Sequence, residues 1–114
     1  MSDCIFCKIV SGEIPSKKVY EDDYILAFYD ISPEAPVHVI IIPKKHIQSV
    51  NQLNAEDGEL IGKIFLSAKE ITKKLGVSEK GYRIVNNCGE QGGQTVQHLH
   101  YHLLGGRDMT WPPG

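Results

Sequence analysis

Apolar residues recur at helical spacing over residues 4–10, where Ile5, Phe6, Ile9 and Val10 line one side. Ser11-Gly12 and then Pro15 end that helix. Residues 18–21 and 24–29 are rich in aromatic and β-branched types and meet at Asp22-Asp23, which predicts a hairpin. Residues 37–42 are apolar on both faces apart from His38, as expected of a covered, central strand. Asn54 can cap a helix over residues 55–75, whose apolar positions Leu60, Ile61, Ile64, Phe65, Ala68, Ile71 and Leu75 follow the 3.6-residue period. Gly76 supplies the residue just past its end. Residues 82–87 and 96–104 read as two more strands, separated by the glycine-rich stretch 88–93. The tail, 107–114, is irregular, with Trp111 as its apolar anchor. Five strands, one main helix and a short N-terminal helix lack a regular β-α-β alternation. They predict an α+β fold with a mostly antiparallel sheet, built as a single domain over 1–114.

Composition narrows the function classes. Hydrophobic residues make up 41% and charged residues 23% of the 114, which excludes disordered and fibrous chains. A formal net charge of −2 supplies no basic field, so a nucleic-acid polymer is not expected as the main ligand. Any nucleotide has to be held by local chemistry. The longest apolar run, 39–42, ends at Pro43, far short of a membrane span, so no membrane partner is expected. The start, Met1-Ser2-Asp3-Cys4, lacks the features of a secretory signal, and a cytoplasmic location is the expectation. Three cysteines make no disulfide framework; Cys4-x-x-Cys7 points instead to metal or redox work, and Cys88 to a plain small residue.

The most informative stretch is Gln97-His98-Leu99-His100-Tyr101-His102-Leu103-Leu104. Side chains on a strand alternate faces, so His98, His100 and His102 point one way while Leu99, Tyr101 and Leu103 point into a core. Three imidazoles in a row suit a metal site. They equally suit a nucleophile whose neighbours set its tautomer and serve the leaving group. The residues just upstream favour the nucleophile. Gly92-Gly93-Gln94-Thr95 leads directly into the row, and successive N–H groups of a glycine turn form a concavity for an anion. Asn87 can add a side-chain donor and Thr95 a hydroxyl.

The run from Gly92 to Leu104 resembles the H-φ-H-φ-H-φ-φ signature of histidine triad proteins, φ being apolar. The resemblance extends over nearly the whole chain. Phe28-Tyr29-Asp30-Ile31-Ser32-Pro33, Pro43-Lys44-Lys45-His46 and the ending Trp111-Pro112-Pro113-Gly114 match the branch of histidine triad nucleotide-binding proteins. Dinucleoside polyphosphate hydrolases are a poorer match. The resemblance implies purine nucleoside phosphoramidase activity, with His100 attacking the α-phosphorus and water then releasing a nucleoside monophosphate. It implies that His102 contacts the phosphate and the leaving amine, and that His38 is a fourth, supporting histidine. It gives Asp30 the ribose hydroxyls, and Phe6, Ile9, Phe28 and Ile31 an apolar slot for the base. Asn87, Gly93, Gln94 and Thr95 then surround the phosphate. It also implies a homodimer. A nucleotide-binding regulator with incidental catalysis is the alternative from another class.

The Cys4/Cys7 pair departs from the best-known members of that branch. Its spacing is that of structural zinc sites, with His46 and His98 as the candidates for the remaining two ligands. Some bacterial-type relatives bind zinc at matching positions, and such a site would clamp the N-terminal helix to the sheet.

Overall fold

The computed structural model describes residues 3–114. Helix α1, Ile5–Ser11, buries Phe6 and Ile9 and stops at Gly12, whose φ of 85° lies in the left-handed region that glycine tolerates. Strands β1, Lys18–Glu21, and β2, Ile25–Tyr29, form the expected hairpin. Asp22 turns the corner, its Oδ1 accepting the N–H groups of Tyr24 and Ile25 at 2.8 Å each. Tyr24, predicted as strand, sits exposed in this turn. Strand β3, Val37–Pro43, is followed by two single 3₁₀ turns, Val50–Gln52 and Ala55–Asp57. Helix α2 runs over Gly58–Lys74, and Gly76 follows its end at φ 76°. Strands β4, Tyr82–Asn86, and β5, Tyr101–Gly105, complete one five-stranded sheet in the order β1-β2-β3-β5-β4. Every pairing is antiparallel, which gives the α+β fold read from the sequence.

The two helices cover opposite faces of the sheet. Ile64, Ala68 and Ile71 of α2 pack on Ile25, Ala27, Val39, Ile41, Tyr101 and Leu103. Phe6 and Ile9 of α1 pack on Leu26, Phe28, Ile40 and Ile42. Alternate residues of β2 and β3 therefore enter different cores, which is why β3 lacks a polar face. Full burial of each large apolar side chain contributes about 1.5–3 kcal/mol. The thin α1 face rests on two such side chains and the wide α2 face on many.

Three expectations are corrected. The last strand begins at Tyr101, not at residue 96. Its ladder with β3 ends at the pair Ile41–Tyr101, and the preceding segment bonds to the chain beyond β3 through Leu99 N–H to the Ile47 carbonyl at 2.7 Å. Phe65, read as a core position, is 47% exposed beside Leu66 at 65%; it touches the core only by its edge on Tyr101. Trp111 does not anchor the tail in an apolar pocket: it is 81% exposed and lies under the Arg83 guanidinium, whose Nη2 donates to the Thr110 carbonyl.

Candidate active site and metal cluster

The imidazole row survives the loss of the ladder. Leu99, Tyr101 and Leu103 are all buried in the α2-side core. The opposite side chains form a line: the rings of His100 and His102 lie 5.2 Å apart, and Phe6 of α1 stands edge-on to His98 at 5.9 Å and to His100 at 5.1 Å. The chain bends over residues 96–98, and from Leu99 onward it leads directly into β5 and keeps the two-residue alternation.

Backbone groups fix the tautomer of each ring. A carbonyl only accepts, so the contact of His100 Nδ1 with the His98 carbonyl, at 2.7 Å, places a proton on Nδ1 and leaves a lone pair on Nε2. By the same logic His98 Nε2–H donates to the Pro43 carbonyl at 2.9 Å and its Nδ1 is left as a ligand atom. At the far end, the Glu34 N–H donates to His38 Nδ1 at 3.0 Å, so the proton of His38 is on Nε2. That proton goes to His102 Nδ1, 2.8 Å away, with the Asp30 carboxylate at 3.4 Å from the same nitrogen. His102 then carries its own proton on Nε2. Burial lowers the pKa of His98, His100 and His102 below the ordinary histidine value, which keeps the rings neutral at pH 7; hydrogen bonding and Asp30 only partly oppose it at His100.

Asp30, His38 and His102 lie close enough to be considered as a metal set. The 2.8 Å between the two imidazole nitrogens is instead a hydrogen-bond distance, shorter than the about 3.3 Å that separates two nitrogens on one tetrahedral zinc. The end of the row that can hold a metal is the other one.

There the sulfurs of Cys4 and Cys7 and the Nδ1 atoms of His46 and His98 lie within 4.8 Å of one another. Cys4 Sγ and Cys7 Sγ stand 3.3 and 3.6 Å from His98 Nδ1, Cys7 Sγ is 3.3 Å from His46 Nδ1, and the two nitrogens are 3.2 Å apart. Zinc bonds of about 2.0–2.3 Å in a tetrahedron imply ligand separations of about 3.3–3.8 Å. The donor set, its spacing and the Pro43 carbonyl that orients His98 all fit that ion.

A cavity of about 410 Å³ lies on the other flank of α1, lined by Phe6, Ile9, Phe28, Asp30 and Ile31 among others. Phe6, Ile9 and Phe28 serve both the core and this cavity; Ile31, 99% exposed, stands at its rim. Asp30 Oδ1 accepts the Ser32 N–H at 2.7 Å, leaving further acceptor capacity on both oxygens.

The glycine turn is built differently from the simple concavity expected. A Cβ at Gly92 would stand 2.3 Å from the Cys88 carbonyl oxygen, and Gly93 has φ 81°, so both positions demand glycine. The Gly93 and Gln94 N–H groups are used within the turn, on the carbonyls of Glu90 and Gly89. Gln94 is buried, and its side chain braces the turn: Oε1 accepts the Gly89 N–H while Nε2 donates to the carbonyls of Gln48 and Val96. Asn87 Nδ2 donates to the Gly92 carbonyl at 2.7 Å. Thr95, beyond the turn, is exposed. Sequence reasoning missed the carbonyls of Pro43 and His98 and the Glu34 N–H, because backbone partners leave no residue signature. It also missed Asn86, whose Nδ2 donates to the His100 carbonyl at 2.9 Å.

A five-stranded antiparallel sheet, with alternate imidazoles on its last strand and on the segment leading into it behind a glycine turn, defines a small histidine triad protein. The chain belongs to the HIT domain family, which matches residues 11–109. It is 56% identical to a HIT family hydrolase of Legionella pneumophila whose crystal structure superposes with a TM-score of 0.97, over 98% of this chain and 100% of that one. A 14 kDa zinc-binding protein of Brassica juncea is 50% identical over 98% of this chain and 100% of its own length. A histidine triad nucleotide-binding protein of Candida albicans is 36% identical, with a TM-score of 0.86 over 96% of this chain and 83% of that one. Cys4 and Cys7 lie outside the matched domain, on α1.

Proposed function

We propose that this protein hydrolyses the phosphorus–nitrogen bond of purine nucleoside phosphoramidates through a nucleotidyl intermediate on His100. The observation that carries the reading is the tautomer of His100. Its Nδ1–H is held by the His98 carbonyl at 2.7 Å, so the Nε2 lone pair is available to an electrophile.

In this reading the base lies in the cavity beside Phe6, Ile9, Phe28 and Ile31, the ribose hydroxyls bond to Asp30, and the phosphate sits by Thr95 and the turn that Asn87, Gly93 and Gln94 shape. His100 Nε2 attacks the α-phosphorus. The P–N bond breaks with its electron pair on nitrogen, which takes one proton from solvent and leaves as an amine, with His102 Nε2–H hydrogen-bonded to it as it departs. Water then attacks the phosphorus, its proton balances the one taken up, and the Nε2–P bond breaks to give the nucleoside monophosphate. His38 fixes the tautomer of His102, and Asp30 holds His38.

Cys4, Cys7, His46 and His98 hold a structural zinc ion, which when bound supplies a rigid link between α1, the segment after β3 and the histidine row. Two copies of the chain form a dimer. The exposed apolar side chains Phe65 and Leu66 and the unpaired edge of β4 support that assembly.

Mixing the enzyme with a fluorogenic adenosine phosphoramidate and quenching for intact-mass analysis tests the reading. The expected result is release of the fluorogenic amine with a transient mass gain of one adenylyl group. Binding of the nucleotide without turnover of any phosphoramidate would favour a regulatory role instead.

A further inference from the structure

We infer that Cys4 and Cys7 set the affinity of the base pocket: the metal held on one side of α1 is thermodynamically coupled to the nucleotide held on the other. The inference rests on the nucleotide and zinc readings above and adds a link between them.

Helix α1 is a wall shared by two sites. Cys4 caps it and Cys7 lies in its first turn, both reaching His98, while Phe6 and Ile9 between and beyond them line the cavity of about 410 Å³. The helix is seven residues long, too short to be stable by itself. Its backbone hydrogen bonds stay within it and the turn that follows. Among the described residues, the polar contacts that join it to the rest of the molecule run through Cys4 and Cys7. Two buried side chains, the half-buried Val10 and the sulfur cluster therefore hold the wall.

Phe6 is the mechanical connection. It sits between the two cysteines in sequence, touches the His98 and His100 rings edge-on, and packs on Phe28 at 5.6 Å, which lines the same cavity. A metal ion that fixes both sulfurs against His46 and His98 orders α1 and with it Phe6 and Ile9. A base packed on Phe6 and Ile9 orders the same helix and brings the sulfurs to the nitrogens. Each ligand meets part of the ordering cost of the other, so the coupling is positive and reciprocal. The phosphate turn and Asp30 are not carried by α1. A ligand that engages them without a base does not take part.

The prediction concerns the equilibrium partition of zinc between loaded protein and a chromophoric chelator of known affinity. Saturating AMP tightens zinc binding by about fivefold or more, the low end of typical coupling between sites. Ribose 5-phosphate, which lacks the base, leaves it within about twofold. Calorimetry supplies the reciprocal number: AMP binds the stripped, folded protein, with its α2 and sheet circular dichroism retained, more weakly by the same factor. The measurement on loaded protein stands even when stripping unfolds the chain. Equal zinc affinities with and without AMP, in a protein that calorimetry shows to bind AMP, overturn the coupling alone. Loaded protein that does not bind AMP overturns the nucleotide reading beneath it, and a chain that takes up no zinc overturns the metal reading. An equal tightening of zinc binding by ribose 5-phosphate and AMP assigns the effect to the phosphate turn and also overturns the role of α1.

Discussion

His100 donates its Nδ1–H to the carbonyl of His98 at 2.7 Å, so two members of one imidazole row are tied through the backbone of one and the ring of the other. His98 is itself held by Pro43 through its ring, 55 residues away in sequence. The ring that faces the candidate phosphate site is thus oriented by the backbone of the residue whose ring faces the cysteines, and the two rings do different work.

The first prediction isolates His100. In His100→Ala the Nε2 lone pair is gone while the neighbouring rings keep their backbone partners. The mass gain of the trapped intermediate is expected to vanish and turnover to fall at least about a thousandfold, the usual consequence of removing a nucleophile. A circular dichroism melt monitors the fold. Turnover within tenfold of wild type in that variant would falsify the nucleophile assignment.

The pH profile is the second. His102 is flanked by His100 on its own segment, by His38 on β3 and by Asp30 after β2. Burial lowers its pKa, the two histidines lower it further, and Asp30 opposes them. Protonation would put a proton on Nδ1, the nitrogen that accepts from His38, and break the relay. Activity should therefore rise with pH through a value below the ordinary histidine pKa of about 6.5 and stay level above it. Stability carries the same sign. Between the folded and unfolded pKa values the unfolded chain binds more protons, so this group's contribution is full above about 6.5 and is lost as pH falls through that window. A profile that instead falls between pH 5 and 7 would require a cationic His102 and contradict the tautomer chain.

The third concerns assembly. Phe65 and Leu66 occupy the exposed side of an otherwise well-patterned helix, an arrangement that suits a second surface. Light scattering at micromolar concentration should give twice the chain mass. Leu66→Asp should shift it to the monomer mass without lowering the helical signal. A wild-type monomer at that concentration would dispose of the dimer.

What the sequence made legible follows from periodicity and composition. The two-residue alternation from His98 to Leu103 predicts three side chains in the core and three imidazoles opposite, although only the segment from Tyr101 onward is paired strand. The alternation depends on extended backbone, and the ladder depends on where β3 ends, which no local pattern reveals. Phe65 satisfies the helical period and still lies largely outside the core, because the period marks an apolar side of a helix and not how much of it the sheet covers. The resemblance places Gln94 among the residues that surround the phosphate. Its carboxamide is consumed by three backbone groups, two of them in Gly89 and Gln48, whose proximity only the folded turn creates.

The last prediction concerns the cysteines. Cys4 and Cys7 stand one helical turn apart, and Cys7 N–H donates to Cys4 Sγ at 3.3 Å, so both sulfurs face the same point as His46 and His98. A four-ligand site of this kind has no position for substrate, so its ion should act on folding rather than on the reacting phosphorus. Binding energy of a metal that the unfolded chain does not hold adds to stability. Elemental analysis of protein made with zinc supplied should give about one ion per chain. The double variant Cys4→Ser, Cys7→Ser should give almost none and melt lower by about 5 °C or more, at about 3–6 °C per kcal/mol for a chain of this size. Its kcat should change less than its KM, since the bonds that fix His100 come from the His98 carbonyl and Asn86 rather than from sulfur. A variant that keeps its melting temperature and its KM would show that the sulfurs do not clamp α1, whatever their metal content.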